Sequence, residues 1–140
     1  MNKKALSVLA ATAAAAVALV ATGCGFGEPT AEGKIATAAD DYLRALADDD
    51  TTKACAQLAA SAKRKFDRPC DDALHEVASG IGSDSLSAAA DGGVDVTVDG
   101  TRGFAEVRSL DGARLTFTKV GTEWRITSGH ALDERSGETP

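Results

Sequence analysis

The sequence predicts an α+β domain: about three N-terminal helices packed on a four-stranded antiparallel curved sheet. Two observations carry this. Apolar residues recur with a period near 3.6 from residue 31 to residue 81, then with a period of two from residue 94 to residue 128. Asp111-Gly112 then separates two strand patterns, a short-range signal for a hairpin. Helices first and a strand meander afterwards place the helices on one face of the sheet.

The first helix is predicted over 31–47, where Ile35, Ala38, Ala39, Tyr42, Leu43 and Leu46 share a face and Asp40, Asp41 and Arg44 take the wet side. A second helix is predicted from Thr52 to Phe66, capped by Asp50 or Thr51 and striped by Cys55, Leu58, Ala59, Ala62 and Phe66. Lys63, Arg64 and Lys65 suit the negative end of its dipole. A third helix is predicted to start at Pro69, a residue favoured at the first helical position. It carries Cys70, Leu74, Val77 and Ile81 and ends at Gly80 and Gly82. Residues 83–93 read as a connection with at most one helical turn around Leu86.

The strands follow. Val94, Val96 and Val98 alternate with Asp95 and Thr97. Phe104–Leu110 is the second strand, Ala113–Val120 the third with Leu115 and Phe117 on one face, and Glu123–Ser128 the fourth with Trp124 and Ile126 inward. Residues 133–140 read as a frayed tail.

Ahead of the domain, Lys3 and Lys4 precede an apolar run from Ala5 to Ala21, interrupted only by Ser7 and Thr12, and then small Thr22 and Gly23. A basic start, an apolar stretch and a small-residue junction describe a secretory signal over residues 1–23. The run barely reaches the roughly 17–25 apolar residues a bilayer span needs, and no basic cluster follows it. Residues 24–30 read as a tether.

The chain has 15 Lys and Arg against 21 Asp and Glu, a formal net charge of −6. Two of the cations leave with the signal, so the exported part is more acidic still. Nucleic-acid binders show basic patches, so that class is excluded. Attraction to anionic lipid head groups is likewise disfavoured.

The cysteines are Cys24, Cys55 and Cys70. In an exported domain, Cys55 and Cys70 read as a disulfide, worth about 3 kcal/mol for a loop of this length. A redox or metal pair would show CxxC spacing or nearby histidine, and His75 and His130 have neither relation to them.

Candidate chemistry is sparse. A pocket enzyme of isomerase type would use Tyr42 as a hydrogen-bond donor and Asp95 or Glu106 as a base, yet Tyr42 lies on a core stripe and both acids on polar strand faces. His75 and Glu76 are adjacent on a helix and cannot face each other. Asp48-Asp49-Asp50 lacks the turn of a calcium loop, so capping and solvation explain it. No metal and no cofactor is expected.

Ala21-Thr22-Gly23-Cys24 resembles the lipobox of bacterial lipoproteins, with alanine where that family has a larger aliphatic. The resemblance implies cleavage before Cys24 and diacylglyceryl modification of its thiol. That would hold the domain on the outer face of the cell membrane, since stable anchoring needs more than one acyl chain. From about residue 31 to 132, the helix-then-meander order with Gly121, Trp124 and Ile126 in the last strand resembles the NTF2-like superfamily. More narrowly it resembles small actinobacterial lipoproteins of that type, with a helical cysteine pair at Cys55 and Cys70. The resemblance implies a sheet wrapped into a cone around the long helix, with Tyr42, Phe117 and Trp124 lining any pocket. It also implies a non-catalytic role in binding a small apolar ligand or an envelope protein, with dimer formation through the sheet. An isomerase or dehydratase activity, or a secreted interaction module, are the alternatives it leaves open.

Overall fold

The computed structural model describes residues 30–130. The signal 1–23, Cys24, the tether up to Pro29 and the tail 133–140 lie outside the described residues. Thr30, assigned to the tether by sequence, is the N-cap of the first helix: its hydroxyl accepts from the Gly33 N–H at 3.0 Å.

The fold is α+β. Among the described residues, five helices, α1 (Ala31–Ala47), α2 (Thr51–Ala56), α3 (Ala60–Lys63), α4 (Cys70–Ile81) and α5 (Ser83–Gly92), precede a meander of β1 (Val94–Asp99), β2 (Arg102–Val107), β3 (Arg114–Val120) and β4 (Glu123–Ser128). All three ladders are antiparallel, in the order β1-β2-β3-β4.

Helix α1 follows its sequence pattern: Ile35, Ala39, Tyr42, Leu43 and Leu46 are buried on one face. That face meets the inward residues of the strands, Ala105, Val107, Leu115, Phe117, Trp124 and Ile126, and the two sets form one core. The closest approach is at Gly103 on β2. A Cβ there would stand 2.3 Å from Ile35 Cδ1, so glycine lets the helix lie on the sheet. Gly103→Ala is therefore expected to cost about 2 kcal/mol as an overpacked core. Ile35→Val removes the opposing methyl and costs about 1 kcal/mol alone. Urea melts of the double variant should show it markedly more stable than the two costs summed, which identifies the contact as the cause.

The structure corrects four expectations. The continuous helix over Thr52–Phe66 is broken into α2 and α3, because Leu58 leaves the helix to form a parallel bridge with Ile126. Ile126 N–H donates to Gln57 O at 2.9 Å and Ala59 N–H to Ile126 O at 2.8 Å. Those bonds cover the outer edge of β4, and unpaired sheet edges are costly or sticky. The connection at 83–93 is instead the ten-residue helix α5, whose Leu86, Ala89 and Ala90 are buried. Its small residues let it pack beside α1. Asp111-Gly112 does not make a two-residue hairpin. The second strand ends at Val107 and the chain takes residues 108–113 to turn, with Val107 N–H donating to Ala113 O at 3.0 Å. Finally, Pro69 is the N-cap of α4 rather than its first residue, and Gly80 lies within that helix while Gly82, at φ 97°, ends it.

Cys55 and Cys70 join α2 to the first residue of α4. Their Sγ atoms are 2.08 Å apart, with Cα atoms 6.1 Å apart.

Candidate functional site

The interior between α1 and the sheet is filled with side chains. Tyr42 and Phe117 are fully buried in it, and among the described residues no charged or polar residue is buried with them. The Tyr42 hydroxyl donates to the His130 carbonyl just beyond β4. Burial pushes the Tyr42 phenol far above its ordinary range, so it stays a neutral donor. The His130 ring stacks edge-on against Phe66 at 5.1 Å. Burial, and then the positive charge of Lys65, lower the His130 pKa.

The residues considered for isomerase chemistry do not converge. Tyr42 points into the core, while Asp95 and Glu106 are register partners on the outer face of the sheet. Asp95 is held by Arg108 through contacts of 2.9 and 2.7 Å, which lower its pKa and keep it ionised.

Of the three aromatic residues expected around a pocket, Trp124 alone borders one of the grooves described here. That groove, of about 510 Å³, lies between the first three turns of α1 and the β3–β4 hairpin. Lys34, Thr37, Ala38 and Asp41 form one wall; Gln57, Thr122, Glu123 and Arg125 form the other with Trp124. Arg125 is fixed in place, donating to Ala56 O at 3.0 Å and pairing with Glu123. The lining therefore offers the rim of a largely buried indole and one alanine methyl beside two cations, two carboxylates, an amide and two hydroxyls.

A second site pairs residues that are distant in sequence. Asp49, in the left-handed conformation at φ 58°, places its Oδ1 2.9 Å from His75 Nδ1. The pairing raises the His75 pKa, chiefly through that hydrogen bond and then through the charge of Asp49. The pair borders a shallow cavity with Ser79 and Ser83. The sequence reading placed His75 in solvent, which its exposure agrees with, but missed Asp49. The contact depends on the reversal between α1 and α2, where Asp48 ends one helix and Asp50 caps the next by accepting from Lys53 N–H. No periodicity signals such a contact. On the outer sheet face, the Arg114 guanidinium sits 4.2 Å from the Phe104 ring centroid, with Arg102 at 6.0 Å on the same ring.

Among the described residues no helix is long and apolar enough to cross a membrane, and no cluster of three or more His, Cys, Asp or Glu could hold a metal ion. No protein-family model, curated protein or solved structure matches this chain.

Proposed function

We propose that this chain is a lipoprotein held by lipid on Cys24 at the outer face of the cell membrane. Its NTF2-like domain would bind a small apolar molecule, or an apolar segment of an envelope protein, in the groove beside Trp124. The observation that carries the proposal is the run from Lys3 through Gly23 to Cys24, followed within seven positions by the capped start of α1. The anchoring segment and the folded domain are then consecutive, with only a short tether between them. The NTF2-like reading is supported by a long first helix laid across a curved four-stranded meander. The binding reading is supported by a packed interior and an open groove at the end of the domain where α1 begins.

The test is the intact mass and membrane partitioning of the protein beside Cys24→Ala, each expressed with its own leader. The expected result is a mature species beginning at Cys24 with added diacylglycerol, found with membranes, and a soluble or unprocessed product for the variant. An unmodified wild-type chain would overturn the anchor. Trp124 is the single tryptophan of the chain, so its emission reports on the groove in the same preparation. A saturable spectral change on adding a medium-chain fatty acid is expected; no change would count against the apolar-ligand reading.

A further inference from the structure

The two edges of the sheet are treated differently. The β4 edge is covered by residues 57–59, as described above. Among the described residues nothing pairs with the outer edge of β1. The Arg108 N–H donates to Gly93 O, which sets the alternation: Asp95, Thr97 and Asp99 turn their backbone groups toward β2. Val94, Val96 and Val98 therefore present theirs outward. The same three valines project to the inner face and are only half-buried, because the core stops at this edge. Beneath Val94 it opens into a 240 Å³ groove walled by Ala36, Leu43 and Ala90. No Pro, Lys or bulge guards β1, and its two charges, Asp95 and Asp99, lie on the outer face and leave the valine row uncharged.

We infer that β1 is a self-pairing edge: two copies of the chain join antiparallel strands β1 about a two-fold axis at Val96, making one continuous sheet. A second copy fits because the strand is self-complementary, and one register among those its backbone allows matches all three valines and keeps like charges apart. Centred on Val96, the outward-facing groups pair Val96 with Val96 and Val94 with Val98, about six backbone hydrogen bonds in all. Three valine pairs then close the half-open row on the inner face, extending both cores. On the outer face Asp95 meets Thr97 of the second copy and Asp99 meets Gly93, so no like charges oppose each other. Arg108 also neutralises Asp95 at 2.7 Å. Moving the axis to Thr97 keeps the same backbone groups outward but sets Asp95 against Asp99 twice, so like charges oppose each other. The interface is isologous and closes as a dimer.

Cysteine substitution tests the pairing in the whole chain, in a Cys24→Ala background so that no other free thiol competes; the proposal does not depend on the lipid anchor. In the Val96 register, the Cα atoms of residue 96 lie about 5.5 Å apart across the axis, within disulfide range. Those of residue 97 lie roughly 8 Å apart, beyond it. Mild oxidation of Val96→Cys is expected to give a covalent species of twice the monomer mass on a non-reducing gel, and Thr97→Cys is expected to give none. Val96→Pro deletes an N–H that β2 does not use and should reduce the sedimenting mass twofold, with the far-ultraviolet circular dichroism unchanged. A folded monomer for the parent chain overturns the inference. So does cross-linking at Thr97→Cys instead of Val96→Cys, or a Val96→Cys adduct with a protein of different mass.

Discussion

Replacing Cys55 and Cys70 together by alanine is expected to lower the midpoint of thermal unfolding by roughly 10–20 °C. That corresponds to about 3 kcal/mol for a closed loop of this length in a domain of this size. The physical reason is local. Helices α2 and α3 are short, with six and four residues, and isolated helices of that length do not hold themselves in water. Their order comes from packing on α1 and β4 and from the covalent tie to α4. Without the bond, the unfolded chain regains the freedom of the whole 55–70 loop. Scanning calorimetry of the double variant, with the wild type under oxidising and reducing conditions, checks this. Reduced wild type should match the variant. A shift of only a degree or two would mean that packing alone orders the α2–α4 corner.

Gly129→Ala is expected to be more disruptive than an ordinary glycine substitution, costing about 3 kcal/mol or more. Two effects add there. Gly129 sits at φ 79°, where a side chain costs on the order of 1 kcal/mol or more. A Cβ would also fall 1.8 Å from the Arg114 carbonyl oxygen and 2.9 Å from its carbon. Those are backbone atoms at the start of a central strand, so no side-chain rotation relieves the clash. The chain after β4 would have to move, carrying away the His130 carbonyl that accepts from Tyr42. Gly121→Ala is the control. It has a similar φ of 66° with nothing within 4 Å of the added Cβ, so it should lose only the conformational part, about 1 kcal/mol. Equal losses in chemical denaturation would refute the steric account.

The residues legible in sequence were those whose partners lie along their own element. Ile35, Ala39, Tyr42, Leu43 and Leu46 announce a buried helix face because 3.6-residue spacing alone puts them in line. Leu115 with Phe117 and Trp124 with Ile126 announce the inner sheet face by strict alternation. The pairing of Cys55 with Cys70 followed from setting Cys24 aside as the expected lipid site, which leaves an even pair in a domain expected to be exported. A cap at Asp50 or Thr51 followed from side-chain chemistry one turn away, and the structure uses Asp50, with Thr51 the first helical residue.

Other features had little or no local signal. Gln57-Leu58-Ala59 is a good helical sequence, and only the open edge of β4, nearly seventy positions later, draws it out of the helix. Ser83–Gly92 reads as a polar loop, and its helix is stabilised by burying Leu86, Ala89 and Ala90 against α1. That i, i+3, i+4 spacing is its one local signal. Asp49 meets His75 only because the chain reverses at the aspartate run. Sequence by itself determined the α+β class, the succession of helices before a four-stranded meander and the faces that α1 and the strands bury, because these follow from spacing within each segment. Tertiary structure decided where helices break, which sheet edge is covered and which is left open, and that the centre is packed while a groove opens beside Trp124. These depend on which surfaces meet across the fold, and no short window of sequence contains both partners.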